Sequence, residues 1–444
     1  MDFRKRILII QPSPYATGTF DVITQKKLYL PGLAPVLLSA LIPSDYKVDI
    51  VYETIEKIPF HNKYGLILIS SMGHTIVRAI DIALKFKKIH PECRVVFGGY
   101  MASLMVDECL KHVDSVVVGD GEKSLNELIC DFEQGNLKRV YDNPLSDLSG
   151  FPAPDYKRLS KKSIGDWMPV FAGRGCPNAC SFCSVYCVYR GRYIRRPIED
   201  VLRDIREVKK LGFRKILLLD DNIMSEPEYM FQLTSALKKE KIKWMGQCDI
   251  RLSENDELLN AVKESGCVGL SFGIESISQA TLNSLNKSWV RVSDYRDQIK
   301  KIVMKGICVS TEMVLGGEGD SMESIIKTEE FIRKSYIIAP RFYILTPIPG
   351  TDFYKEMKAA GRIIHDDIYS YNGSFAVHKP ANIPPDVLTR EYWKLYDRLF
   401  TISAITNRIV KHIGKIDPGA LLFFSAVNMV YRNHIKRRIT PNIV

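Results

Sequence analysis

No run of apolar residues in this 444-residue chain reaches the ~20 positions that a membrane-crossing helix needs. The short apolar run near the start, Ile7-Leu8-Ile9-Ile10, ends in Gln11-Pro12 and is too brief for a secretory core. It reads as a first β-strand in an unexported, cytoplasmic chain. Low-complexity segments are missing too: 46% of residues are hydrophobic and 25% charged, which excludes disordered and collagen-like classes. There is no protein-wide basic surface. The net charge is +11, yet residues 401–444 hold seven Lys or Arg against Asp417 alone, so over half of the excess sits in the last tenth of the chain. Such a distribution argues against a nucleic-acid partner. Ten cysteines in an unexported chain do not read as a disulfide framework. A second, distant C-x2-C pair of the kind zinc loops use is also lacking.

What the chain does have is a cysteine loop. Residues 173–187 read Gly-Arg-Gly-Cys-Pro-Asn-Ala-Cys-Ser-Phe-Cys-Ser-Val-Tyr-Cys. Cys176, Cys180 and Cys183 are spaced C-x3-C-x2-C. Three thiolates on one short loop can grip three irons of a cubane cluster, where a ferredoxin site would supply four. The fourth iron is then open to a substrate or cofactor. A zinc site is the competing reading, and Cys180, Cys183 and Cys187 also make a C-x2-C-x3-C register. We take Cys187 as a bystander and Cys176, Cys180 and Cys183 as the metal ligands. The other six cysteines, Cys93, Cys109, Cys130, Cys248, Cys267 and Cys308, have no metal spacing.

This loop resembles the signature of the radical S-adenosylmethionine (SAM) superfamily. The resemblance implies a 4Fe-4S cluster whose open iron binds SAM, and an external one-electron reductant of the flavodoxin or ferredoxin type. It also implies cleavage of SAM to methionine and a 5′-deoxyadenosyl radical.

Apolar runs and amphipathic periods alternate after the loop. Helices are expected at 197–211, 227–241, 256–265, 277–284, 292–305 and 321–335, and strands at 215–219, 243–251, 268–274, 308–315 and 341–345. This α/β alternation argues a parallel sheet with crossover helices. The resemblance makes it a partial (β/α)6 barrel. Ligands bind at the C-terminal strand ends of such sheets. The end near 219 carries Asp220-Asp221-Asn222, where many family members have Gly-Gly-Glu for the methionine amino group; Asp220 is the substitute by position. Ser-Phe-Gly-Ile-Glu-Ser, 271–276, is similar to the segment whose acid meets the ribose or methionine, which assigns Glu275 and Ser276 to the cofactor. Thr346-Pro347-Ile348-Pro349-Gly350-Thr351 resembles the turn beside the adenine, with Thr346 as its candidate. Capping or turn roles compete for each of these positions.

Residues 1–145 have their own rhythm, with strands expected at 7–10, 47–51, 65–70, 94–97 and 115–118 and helices at 35–41, 76–89 and 123–134. Five such strands suggest a small doubly wound, Rossmann-like domain. Upstream of a radical SAM loop, this resembles a cobalamin-binding domain. Ser70-Ser71-Met72 matches its serine loop, Gly98-Gly99 its glycine pair, and Val-Val-Gly-Asp-Gly-Glu, 117–122, its last segment. The resemblance assigns Ser70, Ser71, Gly98, Gly99, Gly119, Gly121 and Glu122 to cobalamin. The Asp-x-His-x-x-Gly motif that ligates cobalt elsewhere does not occur. His74 is a candidate to approach the cobalt, against the plainer reading of a helix start.

A linker is expected at 146–165, the barrel at 166–365, and a small, mostly helical extension at 366–444. The 366–373 stretch reads as a loop across the barrel mouth, followed by a helix at 387–400. The 420–431 stretch, followed by basic residues, is too short to span a bilayer. It reads either as a helix packed on the barrel or as a peripheral membrane contact. The tail resembles that of hopanoid methylases and anaerobic protoporphyrin cyclase-like enzymes. The combined resemblance implies a radical SAM enzyme that methylates an unactivated carbon of a small-molecule or lipid-like substrate through methylcobalamin. A cyclisation or ring rearrangement with the same cofactors is the alternative. A non-catalytic iron–sulfur or zinc protein is the reading from a different class. No catalytic side chain is assignable.

Overall fold

The computed structural model describes residues 2–16, 19–144, 147–365 and 368–441. Its first six strands are β1 (Arg6–Gln11), β2 (Lys47–Tyr52), β3 (Leu66–Ser70), β4 (Arg94–Gly98), β5 (Ser115–Val118) and β6 (Val140–Asp142). They form one parallel sheet in the order β2-β1-β3-β4-β5-β6. The order reverses at β1, which places a crevice at the C-terminal ends of β1 and β3. Ile7 to Ile10 are fully buried because β1 is covered on both faces. Alternate residues serve different cores. Leu8 and Ile10 pack with helix Thr75–Ile89, whereas Ile7 and Ile9 join a core continuous with the second sheet.

The second sheet contains β7 (Trp167–Val170), β10 (Lys215–Leu218), β11 (Lys243–Cys248), β12 (Cys267–Glu275), β13 (Cys308–Leu315) and β14 (Ile337–Ile344), all parallel and paired in chain order. A two-stranded antiparallel hairpin, β8 (Gly173–Gly175) with β9 (Tyr193–Arg195), follows β7. The α/β class, the doubly wound first domain, the open six-stranded barrel and the helical tail are therefore as expected.

The differences have local causes. β6 is a sixth N-terminal strand; Val140 and Asp142 are exposed, so it carries no apolar run. β7 contains Pro169, which argues against a strand, but β7 is the sheet edge, where a missing N–H is tolerated. β11 stops at Cys248 rather than 251, because Asp249 turns the chain into a 3-10 turn by accepting the Arg251 N–H. The helix expected at 292–305 is Tyr295–Met304, preceded by a 3-10 turn.

The tail helix Pro418–Lys436 buries Ala420, Phe424, Val427, Asn428 and Tyr431. Asn428 donates to the carbonyls of Ile338 (3.0 Å) and Phe424 (2.8 Å) and accepts from Arg408 (2.8 Å). This is the packed-helix reading. Among the described residues, no helix is long and apolar enough to cross a membrane. The 366–373 loop lies partly outside the described residues; its described part places Tyr369 against Asp81 and Phe20.

Candidate active site

The cysteine loop and helix Ser184–Tyr189 are slung between β8 and β9. Gly175 has φ +86°, and a Cβ there would lie 2.1 Å from the Arg192 carbonyl, so the hairpin closes only around glycine. The loop is tied down along its length. Asn178 donates to Asp249 (3.1 Å), the Asn286 amide to the Ala179 carbonyl (2.6 Å), and the Ser181 N–H to the Leu285 carbonyl (3.1 Å). The Phe353 N–H donates to the Ser181 carbonyl at 2.9 Å.

Cys176 and Cys183 lie close enough to Cys180 for their charges to oppose its ionisation, and Cys176 does the same to Cys183. Burial pushes Cys180 up to about 12 and Cys183 up to about 11, although the Tyr186 and Val185 N–H groups point at the Cys183 sulfur. Metal loading here must displace protons. The Asn222 amide lies 3.7 Å from the Cys176 sulfur. Cys187 faces Asp352 and Lys355 instead of the other three. Among the described residues, no three Cys, His, Asp or Glu side chains converge on a single metal-ion position.

Around this loop lie the strand-end residues. Asp220, 2% exposed, accepts from the Ala172 N–H (2.7 Å) and the Tyr193 hydroxyl (3.1 Å). Burial nevertheless pushes it up to about 7 from 3.8. The folded state therefore holds this proton more tightly than the unfolded chain, so its contribution to stability is full below pH ~4 and is lost as pH rises toward 7. Asp220→Asn flattens the pH dependence of the urea midpoint between those limits; an unchanged profile contradicts the assignment. Asp221 accepts from the Gly175 N–H at 2.8 Å and from Tyr100.

Glu275 ends β12 in the left-handed region, at φ +55°, which is strained backbone for a non-glycine residue. Its carboxylate pairs with Lys287 at 2.9 Å, and Lys287 also donates to the Gly273 carbonyl. Both are buried, and Lys287 lies near Cys180. Lys287 is a residue that sequence reasoning missed. Ser276 donates to Asp320 (3.3 Å), Thr346 to the Ile344 carbonyl (2.9 Å), and Thr351 caps helix Asp352–Ala359.

A cavity of about 730 Å³ joins the two sheets. Its N-terminal wall includes Ser70, His74, Gly98, Gly99, Gly119, Gly121 and Glu122, and its barrel wall reaches Asp220 and Asp221. Cys176, Cys180, Cys183, Ser71, Glu275, Ser276 and Thr346 are not among its lining residues. Gly73 and Gly119 have positive φ and face open space where a side chain would sit. At Gly99, φ +94°, a Cβ would come within 2.2 Å of the Ser71 carbonyl. His74 is the N-terminal capping position of helix Thr75–Ile89 and lines the cavity as well. Burial pushes it down to about 4, so it is neutral at pH 7.

Two family models match the chain: the radical SAM superfamily over residues 170–332 and the B12 binding domain over residues 40–129. The chain thus carries a B12-binding domain followed by a radical SAM domain. Among similar proteins, bacteriochlorophyllide d C-12(1)-methyltransferase of Chlorobaculum tepidum is 28% identical over 99% of this chain and 95% of its own length. The anaerobic magnesium-protoporphyrin IX monomethyl ester cyclase of Rubrivivax gelatinosus is 22% identical over 84% of this chain and 72% of its own. The radical SAM methyltransferase TsrM of Kitasatospora setae, solved with cobalamin and a 4Fe-4S cluster, shares the fold at TM-score 0.66 and 14% identity over 98% of both chains.

The radical SAM domain model encloses the whole cysteine loop and all of β10 to β13. The residues present fit both groups. Three thiols grouped on one short loop suit a cubane with one open iron. The glycine-edged wall, where backbone rather than side chains meets the cavity, suits close approach of a large cofactor.

Proposed function

We infer that this radical SAM protein is a cobalamin-dependent methyltransferase acting on an unactivated carbon of a largely apolar small molecule. The observation that carries the reading is the single cavity joining the glycine-edged strand ends of the B12-binding domain to the interior of the barrel. The bound cluster would supply one-electron cleavage of SAM, and bound cobalamin would supply the methyl carrier.

The chain's own residues would hold and orient these groups. Cys176, Cys180 and Cys183 would ligate iron. Glu275 and Lys287 offer charges near Cys180, and Asp221 near Cys183; Ser276 and Thr346 would shape the SAM pocket. Ser70, Ser71, His74, Gly98, Gly99, Gly119 and Gly121 would hold the corrinoid. Asp220 is occupied in fixing Ala172 and Tyr193, and Glu122 in pairing with Arg174.

The barrel is hollow along one stripe. Gly269, Ser271, Ser310 and Ala339 line the cavity, where a filled barrel would carry Val, Ile or Leu. Phe423, Phe424 and Val427 of the tail helix supply an apolar wall. Against this background, on the barrel side, stands the ion pair of Arg341 and Glu312. Arg341 Nε lies 2.8 and 2.9 Å from the two Glu312 oxygens, and Ser271 donates to Glu312 at 3.3 Å. About a fifth of each side chain stays open, and both line the cavity. The pocket thus suits a bulky apolar molecule with one polar end. Relatives are named for methylation of bacteriochlorophyllide d and of hopanoids.

The test is anaerobic turnover of the reconstituted chain with SAM, a reductant and candidate substrates, read by mass spectrometry. Methyl transfer predicts 5′-deoxyadenosine together with a product heavier by one CH2 unit. A product that is cyclised without that gain contradicts methyl transfer and favours the cyclase alternative. Peripheral membrane contact is a separate proposal. It rests on Leu422, 73% exposed on the outer side of the tail helix, with the exposed Ile402, Val410 and Ile413 before it. Pelleting with anionic vesicles tests it, and a chain that stays in the supernatant removes it.

A further inference from the structure

A buried polar network links the N-terminal domain to the cysteine loop. Arg174, two residues before Cys176, donates to Asp120 and to Glu122, each at 2.5 Å. Tyr189 ends the helix that starts just after Cys183, and its hydroxyl donates to Asp120 at 2.9 Å. Tyr100 donates to Asp221 at 3.1 Å, and Asp221 in turn accepts the N–H of Gly175, the residue before Cys176. The Tyr100 and Tyr189 rings meet edge to face, with centroids 6.1 Å apart. Tyr100, Asp120 and Glu122 come from the turns and helix starts after β4 and β5, the segments whose Gly99, Gly119 and Gly121 edge the cavity. Tyr100, Asp120, Glu122, Arg174, Tyr189 and Asp221 all line the cavity themselves.

The charges do not balance. Arg174 pairs with Asp120 and Glu122, Asp221 lies near it, and the Arg174, Asp120 and Glu122 side chains are only 16%, 11% and 4% exposed, so burial pushes Asp120 and Asp221 up and the site resists its full negative charge. Uncompensated negative charge in a poorly solvated site acts strongly on its surroundings. Beside a cluster it opposes the arrival of an electron.

We propose that Arg174 is a positioning residue that ties the cluster loop to the B12-binding domain, and that through this network occupancy of the corrinoid side changes how readily the cluster is reduced. The proposal rests on the reading that the chain binds both groups. It gives a physical order to two-cofactor chemistry, because a filled corrinoid site would shift Tyr100 or Asp120 and thereby the carboxylates around Arg174 and Gly175.

The experiment is a redox titration of the reconstituted full-length chain, followed by the paramagnetic signal of the reduced cluster, with and without hydroxocobalamin. Glu122→Gln removes one negative charge at nearly constant shape; its cobalamin-free midpoint should rise above that of the unaltered chain, at equal iron content. The unaltered chain should change midpoint when hydroxocobalamin binds, and Tyr100→Phe, which loses only a hydroxyl, should show less than half of that change. A Glu122→Gln midpoint equal to that of the unaltered chain overturns the role of Arg174. A cobalamin-linked change that is absent from the unaltered chain, or equal in Tyr100→Phe, overturns the coupling. If no hydroxocobalamin binds, the cobalamin reading itself fails, and the cobalamin-free comparison still decides the positioning role. If Glu122→Gln does not fold, Tyr100→Phe carries the test alone.

Discussion

Cys176→Ala, Cys180→Ala and Cys183→Ala each abolish SAM cleavage and lose most bound iron, while Cys187→Ala retains both. The first three thiols sit on one short loop, with Cys180 buried and with Cys176 and Cys183 near it, whereas the charges near Cys187 are those of Asp352 and Lys355. A cubane held by three cysteines has no spare ligand, so removal of one leaves two corners uncovered and the cluster labile. The zinc reading and the alternative C-x2-C-x3-C register predict a different outcome, in which Cys187→Ala is as damaging as Cys180→Ala. Iron and sulfide analysis with SAM cleavage by each variant separates these outcomes. Retention of iron in Cys176→Ala, with its loss in Cys187→Ala, contradicts the assignment.

Lys287→Met is expected to cost a large share of the chain's stability. Lys287 and Glu275 are both buried and paired at 2.9 Å. Breaking such a pair by removing one partner strands the other charge, at a cost of about 3–5 kcal/mol. Burial alone would lower the Lys287 pKa, but the Glu275 carboxylate outweighs it and holds the ammonium above its ordinary range. Because the folded pKa is the higher one, the pair's contribution is full below the unfolded value of ~10.4 and fades only above it. The whole deficit is therefore present at pH 7. Urea denaturation of the cluster-free chain measures it without interference from iron. The double variant Glu275→Gln, Lys287→Met should recover at least half of the loss, since no lone buried charge remains. A Lys287→Met variant as stable as the unaltered chain would show that the pair is solvated.

The sequence was most informative where the signal is local. The cysteine spacing lies within eight residues, and the alternation of apolar runs with helical periods marks most strands of both sheets. What escaped was set by distant partners. Pro169 hid β7, because a proline inside a run reads as a break until the strand is known to lie at the edge. Lys287 follows a short helix with no motif around it, and only folding brings it to Glu275. Glu122 and Asp220 sit where the family pattern would place cofactor contacts, yet their carboxylates are engaged by Arg174, Ala172 and Tyr193. Glu312 was legible in principle. A charged residue in the middle of Cys-Val-Ser-Thr-Glu-Met-Val-Leu, a strand otherwise buried, is costly unless it faces a partner or a cavity, and it faces both. Arg341, read as the first residue of its strand, lies inside it because β14 begins at Ile337.

One chain is expected to hold an iron–sulfur cluster on its cysteine loop and a corrinoid at the glycine-edged strand ends that line the cavity. The most direct test of this is anaerobic reconstitution with iron, sulfide and hydroxocobalamin, followed by metal analysis and the optical spectrum of the desalted protein. The account predicts about four irons and one cobalamin per chain. About four irons with no retained cobalamin would contradict it, leaving the radical chemistry in place and removing methyl transfer through cobalt.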